Sequence, residues 1–152
     1  MKTTVTSAML QVIGSSFWAM LQRFMGIPPE IPSPLPRIRE EDVYYDPKTG
    51  TLTIKGLPGG YFVSVQDTNS MDGLIDVKHL LFMTKNFKLE NLTVGDPIMF
   101  WKEGKTVLHQ IVFIGEDDKS WFALTKGTNH FFPDFWAVRP ADIISLMRII
   151  IH

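Results

Sequence analysis

From residue 51 to residue 125, apolar side chains gather into short runs rich in Val, Ile, Phe and Tyr, each closed by turn chemistry. The runs cover 51–54, 61–66, 78–83, 97–101, 106–114 and 121–125. Asp46-Pro47-Lys48-Thr49-Gly50, Pro58-Gly59-Gly60, Glu103-Gly104-Lys105 and Glu116-Asp117-Asp118-Lys119 punctuate them, as tight connections between strands require. The pattern predicts a mostly β domain of coiled or barrel-like antiparallel sheets. Residues 143–151 are apolar enough for a buried strand or a short helix, and periodicity alone does not separate the two.

Residues 9–27 follow a different period. At 100° per residue Leu10, Ile13, Phe17, Met20, Leu21 and Phe24 fall on one face and Gln11, Ser15, Gln22 and Arg23 on the other, which predicts an amphipathic helix. The polar interruptions leave no uninterrupted run of about 18 apolar residues, so the segment fits neither a membrane span nor a signal peptide. Its apolar arc calls for cover from its own domain, a second copy or a membrane surface. Prolines 28, 29, 32, 34 and 36 then exclude helix and central strand and predict a semi-rigid extended spacer. The expected organisation is a helix over 1–27, a proline-rich linker over 28–42 and a β domain over 43–152.

Composition narrows the chemistry. The chain has 152 residues, 45% of them hydrophobic, which suits one domain with a core and a modest appendage. Its formal net charge of -1 gives no electrostatic drive toward nucleic acid. The absence of cysteine excludes disulfides, thiolate metal sites and a cysteine nucleophile, and leaves the compartment open. His79, His109, His130 and His152 show no His-x-x-x-His spacing, and no glycine cluster forms a phosphate-binding loop, so neither a metal nor another cofactor is expected.

Hydroxyl chemistry remains. Ser70 follows the strand-like run 61–66 within a turn, where side chains project from a rigid sheet. A serine nucleophile needs a neutral base within hydrogen-bond reach, and His109, inside the apolar run 106–114, is the candidate. Taken singly, each has an ordinary structural explanation as a turn residue or a satisfied core histidine.

Four blocks taken together carry more. They are Asn69-Ser70-Met71-Asp72 with Asp76, Val94-Gly95-Asp96-Pro97-Ile98-Met99-Phe100, Leu108-His109-Gln110-Ile111-Val112, and Leu124-Thr125-Lys126-Gly127-Thr128-Asn129 followed by Pro133-Asp134. In order and spacing they resemble the signal peptidase and SOS-repressor serine protease superfamily. Histidine stands where bacterial signal peptidases and SOS repressors carry lysine, so the resemblance is closest to the archaeal and endoplasmic-reticulum type of signal peptidase and to phage-associated members. It implies Ser70 as nucleophile, His109 as general base, Asp134 as the acid that orients His109, and Met71 as a wall of the pocket for small side chains. Backbone N–H groups, that of Ser70 among them, would hold the oxyanion.

The departures are specific. The family's Gly-Asp-Asn block reads Gly127-Thr128-Asn129, its His-Arg pair reads His109-Gln110, and the proline that often follows Ser-Met is absent, leaving Gly73 to set the turn. A threonine hydroxyl can stand in for the missing aspartate if that residue serves to position backbone. The expectation is a signal-peptidase-like serine endopeptidase acting on a protein or peptide. A catalytically lapsed interaction module is the alternative. A self-cleaving regulator ranks third, because no Ala-Gly or Cys-Gly bond is present to cut.

Overall fold

A computed structural model describes residues 3–25, 37–66 and 70–152. The proline-rich stretch 28–36 and residues 67–69, which immediately precede Ser70, lie outside the described residues.

The chain is mostly β, with one N-terminal helix, α1 (Val5–Phe24), and two antiparallel sheets. The smaller sheet pairs β1 (Val43–Asp46) with β2 (Thr51–Ile54). Their link is built as its residues dictate: Asp46 Oδ1 accepts the Lys48 N–H at 2.9 Å, and Gly50 takes φ 67°, a left-handed conformation that costs glycine little. The larger sheet contains β3 (Gly60–Ser64), β4 (Leu80–Thr84), β5 (Pro97–Lys102), β6 (Lys105–Glu116), β7 (Trp121–Lys126) and β8 (Ile143–Ile151), in the order β3-β4-β8-β5-β6-β7. The open choice for 143–151 is settled as a strand, and that strand lies in the middle of the sheet, hydrogen-bonded to β4 on one side and β5 on the other. Glu103 and Gly104, with φ 51° and 79°, close the two-residue turn between β5 and β6, the backbone twist that a tight hairpin demands.

Three apolar clusters hold the fold. One gathers Leu92, Ile98, Phe100, Ile111, Ala123, Val138 and Leu146. A second joins Met71 and Ile75, from the segment after β3, to Leu81, Met83 and Met147, and so anchors the turn that carries Ser70. Where the chain enters the β domain, the Arg37 guanidinium pairs with Asp96, which is buried at the start of β5 and also accepts the Thr93 N–H at 2.8 Å. The aspartate of the second sequence block is thus a structural bracket.

The third cluster shows which side of the helix its own domain covers. Ala8 and Val12, with Val5 and Met9 beside them, pack on Phe122 and Leu124. The arc read from the sequence faces outward: Leu10 is 66% exposed, Phe17 55% and Phe24 91%. Ala8, Val12 and Ser16 are the buried positions of the helix, and the small side chains among them allow close approach to the sheet. Among the described residues no helix is long and apolar enough to cross a membrane.

Candidate active site

His109 lies in β6, where its strand partner across the ladder is Ile98, and only 5% of the residue is exposed. Asp134 arrives 25 residues later from the loop after β7 and is buried as well. Its carboxylate Oδ2 stands 2.8 Å from His109 Nδ1 and accepts a second hydrogen bond from Thr125 Oγ1 at 2.6 Å. The Asp134 backbone N–H donates to the Thr125 carbonyl at 2.8 Å, so the acid is fixed at both backbone and side chain by one residue of β7. A carboxylate can only accept, which places the His109 proton on Nδ1 and leaves a lone pair on Nε2. That is the tautomer a general base requires.

Ser70 reaches the same place from the opposite side of the sheet order. The turn holding it is closed by Leu74 and Ile75, whose N–H groups both donate to the Met71 carbonyl, at 3.1 and 2.9 Å, with Gly73 at φ 89°. The block Gly127-Thr128-Asn129 clasps this turn from outside. Asn129 donates its backbone N–H to the Ser70 carbonyl at 3.1 Å, and Thr128 Oγ1 donates to the Asp72 carbonyl at 3.1 Å. Gly127 packs so closely on Ser70 that a Cβ there would collide with the Ser70 carbonyl. The Thr128 hydroxyl therefore does positional work on backbone. Gln110 donates Nε2–H to the Gly95 carbonyl at 2.8 Å and ties β6 to the segment before β5.

Ser70, His109 and Asp134 all line one cleft of about 810 Å³. The end of β3 and the residues after it, Val63 to Gln66, form one side; the β5–β6 hairpin, with Trp101 and residues 104–108, forms another. Met71, Leu81 and Met99 add an apolar lining, and Met71 is 4% exposed, buried in its cluster while touching the cleft. Among the described residues β3 is an edge strand of the sheet, with no strand paired to its outer edge.

His130 joins this group although nothing in the sequence spacing announced it. Its ring meets that of His109 edge-on, with centroids 5.2 Å apart. Although His130 is an exposed residue, partial desolvation of its ring and then the neighbouring His109 push its pKa below the usual histidine range, with Asp134 acting in the opposite direction. One potential ligand atom from each of His109, His130 and Asp134 falls within 4.8 Å of the others. Thr125 and Gly127 stood in the fourth sequence block, but nothing there indicated their contacts with Asp134 and Ser70. The available signal was that they flank the short segment leading to Asp134.

Comparison with protein-family models, with curated proteins and with solved structures finds no match to this chain.

Proposed function

We propose that the protein is a serine endopeptidase of the signal-peptidase-like kind, with Ser70 as nucleophile, His109 as general base and Asp134 as its orienting acid. What carries this reading is the buried 2.8 Å His109–Asp134 pair sharing one cleft with Ser70, three residues remote in sequence and assembled from three different parts of the fold. In the first step His109 Nε2 takes the Ser70 hydroxyl proton as Oγ attacks a peptide carbonyl carbon. The carbonyl oxygen becomes an oxyanion held by backbone N–H groups at the Ser70 turn. Collapse of that adduct breaks the C–N bond, and the imidazolium returns the proton to the leaving amine. Water, deprotonated by His109 in the same manner, then releases the acyl group from Ser70.

Asp134 supplies its charge to the imidazolium at each of these stages, and Thr125 keeps the carboxylate in place for it. An extended peptide fits the cleft in chemical terms: backbone groups at the edge of β3 offer strand-like pairing, and Met71, Leu81 and Met99 favour small apolar side chains. The test is turnover of a library of internally quenched peptides with small residues at each position, comparing the wild-type chain with Ser70→Ala. A turn hydroxyl contributes little to a core, so the variant should melt with the wild type and lose at least about 10³-fold in turnover. Cleavage by the variant at the wild-type rate would sink the proposal.

A further inference from the structure

The peptidase reading uses one imidazole, yet the cleft holds two. His130 plays no part in the proton transfers, and it stands against the ring of His109 at a centroid distance of 5.2 Å with the planes 86° apart. Together with Asp134 these residues offer three ligand atoms within 4.8 Å of one another, two of them on buried residues. We infer that His109, His130 and Asp134 form a binding site for a divalent ion of the zinc class, and that occupation of this site switches the peptidase off.

The chemistry of the donors selects the ion. Two imidazoles and a carboxylate suit Zn²⁺ and its borderline neighbours, whereas Mg²⁺ and Ca²⁺ take oxygen ligands. Zinc holds such ligands at about 2.0–2.2 Å, which puts them roughly 3.3 Å apart, so His109 Nδ1 and Asp134 Oδ2, 2.8 Å apart, part slightly as the ion enters between them and the third ligand closes on it. His109 and Asp134 are locked by burial and by the Thr125 hydroxyl, so they form the fixed part of the site. The exposed His130 is the part able to close on them. Thr125 behind Asp134 is the kind of outer hydrogen bond that steadies a metal-ligating carboxylate.

Inhibition follows from electron counting. Asp134 stands on the Nδ1 side of His109, so an ion held by both residues takes Nδ1 in place of its proton; the neutral ring then carries its proton on Nε2, and no lone pair is left there for the Ser70 hydroxyl. The ion need not touch Ser70 to silence it. Binding of the ion rests on the geometry of the cluster alone, while its inhibitory effect rests on the peptidase reading.

The experiment is a calorimetric titration of the full chain with Zn²⁺ alone, repeated with Mg²⁺, on the wild type and on His130→Ala and His79→Ala. His79 and His152 form the other close imidazole pair, with ring centroids 4.3 Å apart, so His79→Ala controls for capture of zinc there. Expected is one zinc ion per chain, no Mg²⁺ response, and affinity reduced at least about tenfold by His130→Ala but unchanged by His79→Ala. The same loss in His130→Gln, in a protein that melts with the wild type, excludes misfolding as its cause. No saturable binding below about 1 mM zinc, or a loss confined to His79→Ala, would overturn the site. Peptide turnover reads the second part: zinc should abolish it, a chelator should restore it, and His130→Ala should need at least about tenfold more zinc to lose half its own zinc-free rate. Zinc that binds through His130 without slowing turnover overturns the switch. A chain that cleaves no peptide refutes the peptidase reading and leaves the binding result to stand by itself.

Discussion

Replacing Gly127 with alanine isolates the contact that holds the Ser70 turn against the 127–129 segment. The added Cβ would lie 3.1 Å from the Ser70 carbonyl carbon and 3.1 Å from His130 Nδ1, with the Ser70 carbonyl oxygen nearer than the 3.0 Å that real Cβ atoms keep. That oxygen belongs to backbone and already accepts the Asn129 N–H, so no side-chain rotation relieves the clash. The turn must instead retreat from the 127–129 segment by a distance on the order of an ångström, and a displacement of that size at a reacting atom costs about 10²-fold in rate. This corresponds to about 2.7 kcal/mol of lost transition-state stabilisation. Overpacking costs a further 1–3 kcal/mol or so in stability, enough to lower Tm by several degrees. Gly60→Ala is the matched control, because its Cβ would strike the Phe82 ring, a comparable insult directed at a side chain outside the proposed catalytic group. The assay pairs kcat/KM on a cleaved peptide with Tm for all three proteins. Gly127→Ala should lose turnover far beyond its loss of stability, and Gly60→Ala should lose stability with most of its turnover intact. Equal turnover per folded molecule in Gly127→Ala and wild type would refute the claim that this clasp positions Ser70.

Asp134→Asn should fold and yet lose about 10³–10⁴-fold in kcat, because an amide can hold His109 in the wrong tautomer; steady-state kinetics on the same peptide checks it. Val12→Asp should destabilise the chain by at least about 2 kcal/mol in urea, since Val12 is 8% exposed against the sheet, whereas Phe17→Asp should leave the midpoint in place and raise solubility. The Arg139 guanidinium, with the backbone N–H groups of Ser120 and Lys119 after it, holds the Asp117 carboxyl well below the usual carboxylate range. Its contribution is therefore fully present above the unfolded carboxylate pKa of about 3.9 and is lost as pH falls below it. Asp117→Asn should lower Tm at neutral pH and flatten the fall in Tm on acidification, as thermal melts across that range would show.

Strand existence was legible because each run is bounded by a turn whose residues meet a fixed geometric demand. Gly50 and the Glu103-Gly104 pair adopt the positive φ their turns need. β1 escaped notice for a physical reason. Val43, Tyr44 and Tyr45 sit on a two-stranded ribbon with their side chains exposed, so burial imposed no alternation on them. The helix was legible and its packed face was not. Periodicity ranks sides by apolar bulk, but contact with Phe122 and Leu124 was decided by close approach, which Ala8 and Ser16 permit and Phe17 does not. In the site, Ser70, His109 and Asp134 could be picked out because each stands in a recognisable block. His130 stands in no such block, and its contact with His109, like the Thr125 bond to Asp134, exists only through long-range pairing of β6 with β7 and the return of the following loop.

The central position of β8 has a consequence for how the chain is made. β4 and β5 are neighbours in sequence but not in the sheet, and the strand that joins them is the last of the eight to leave the ribosome. At about 5–20 residues per second, the interval between the emergence of β5 and of β8 is on the order of seconds. Throughout it two apolar strands expose unpaired edges, the condition under which nascent chains associate with one another. Because Met147 of β8 also completes the cluster beneath Met71, the turn bearing Ser70 has no finished floor until synthesis has passed that point. The cleft shared by Ser70, His109 and Asp134 is therefore completed only after the last strand has been made.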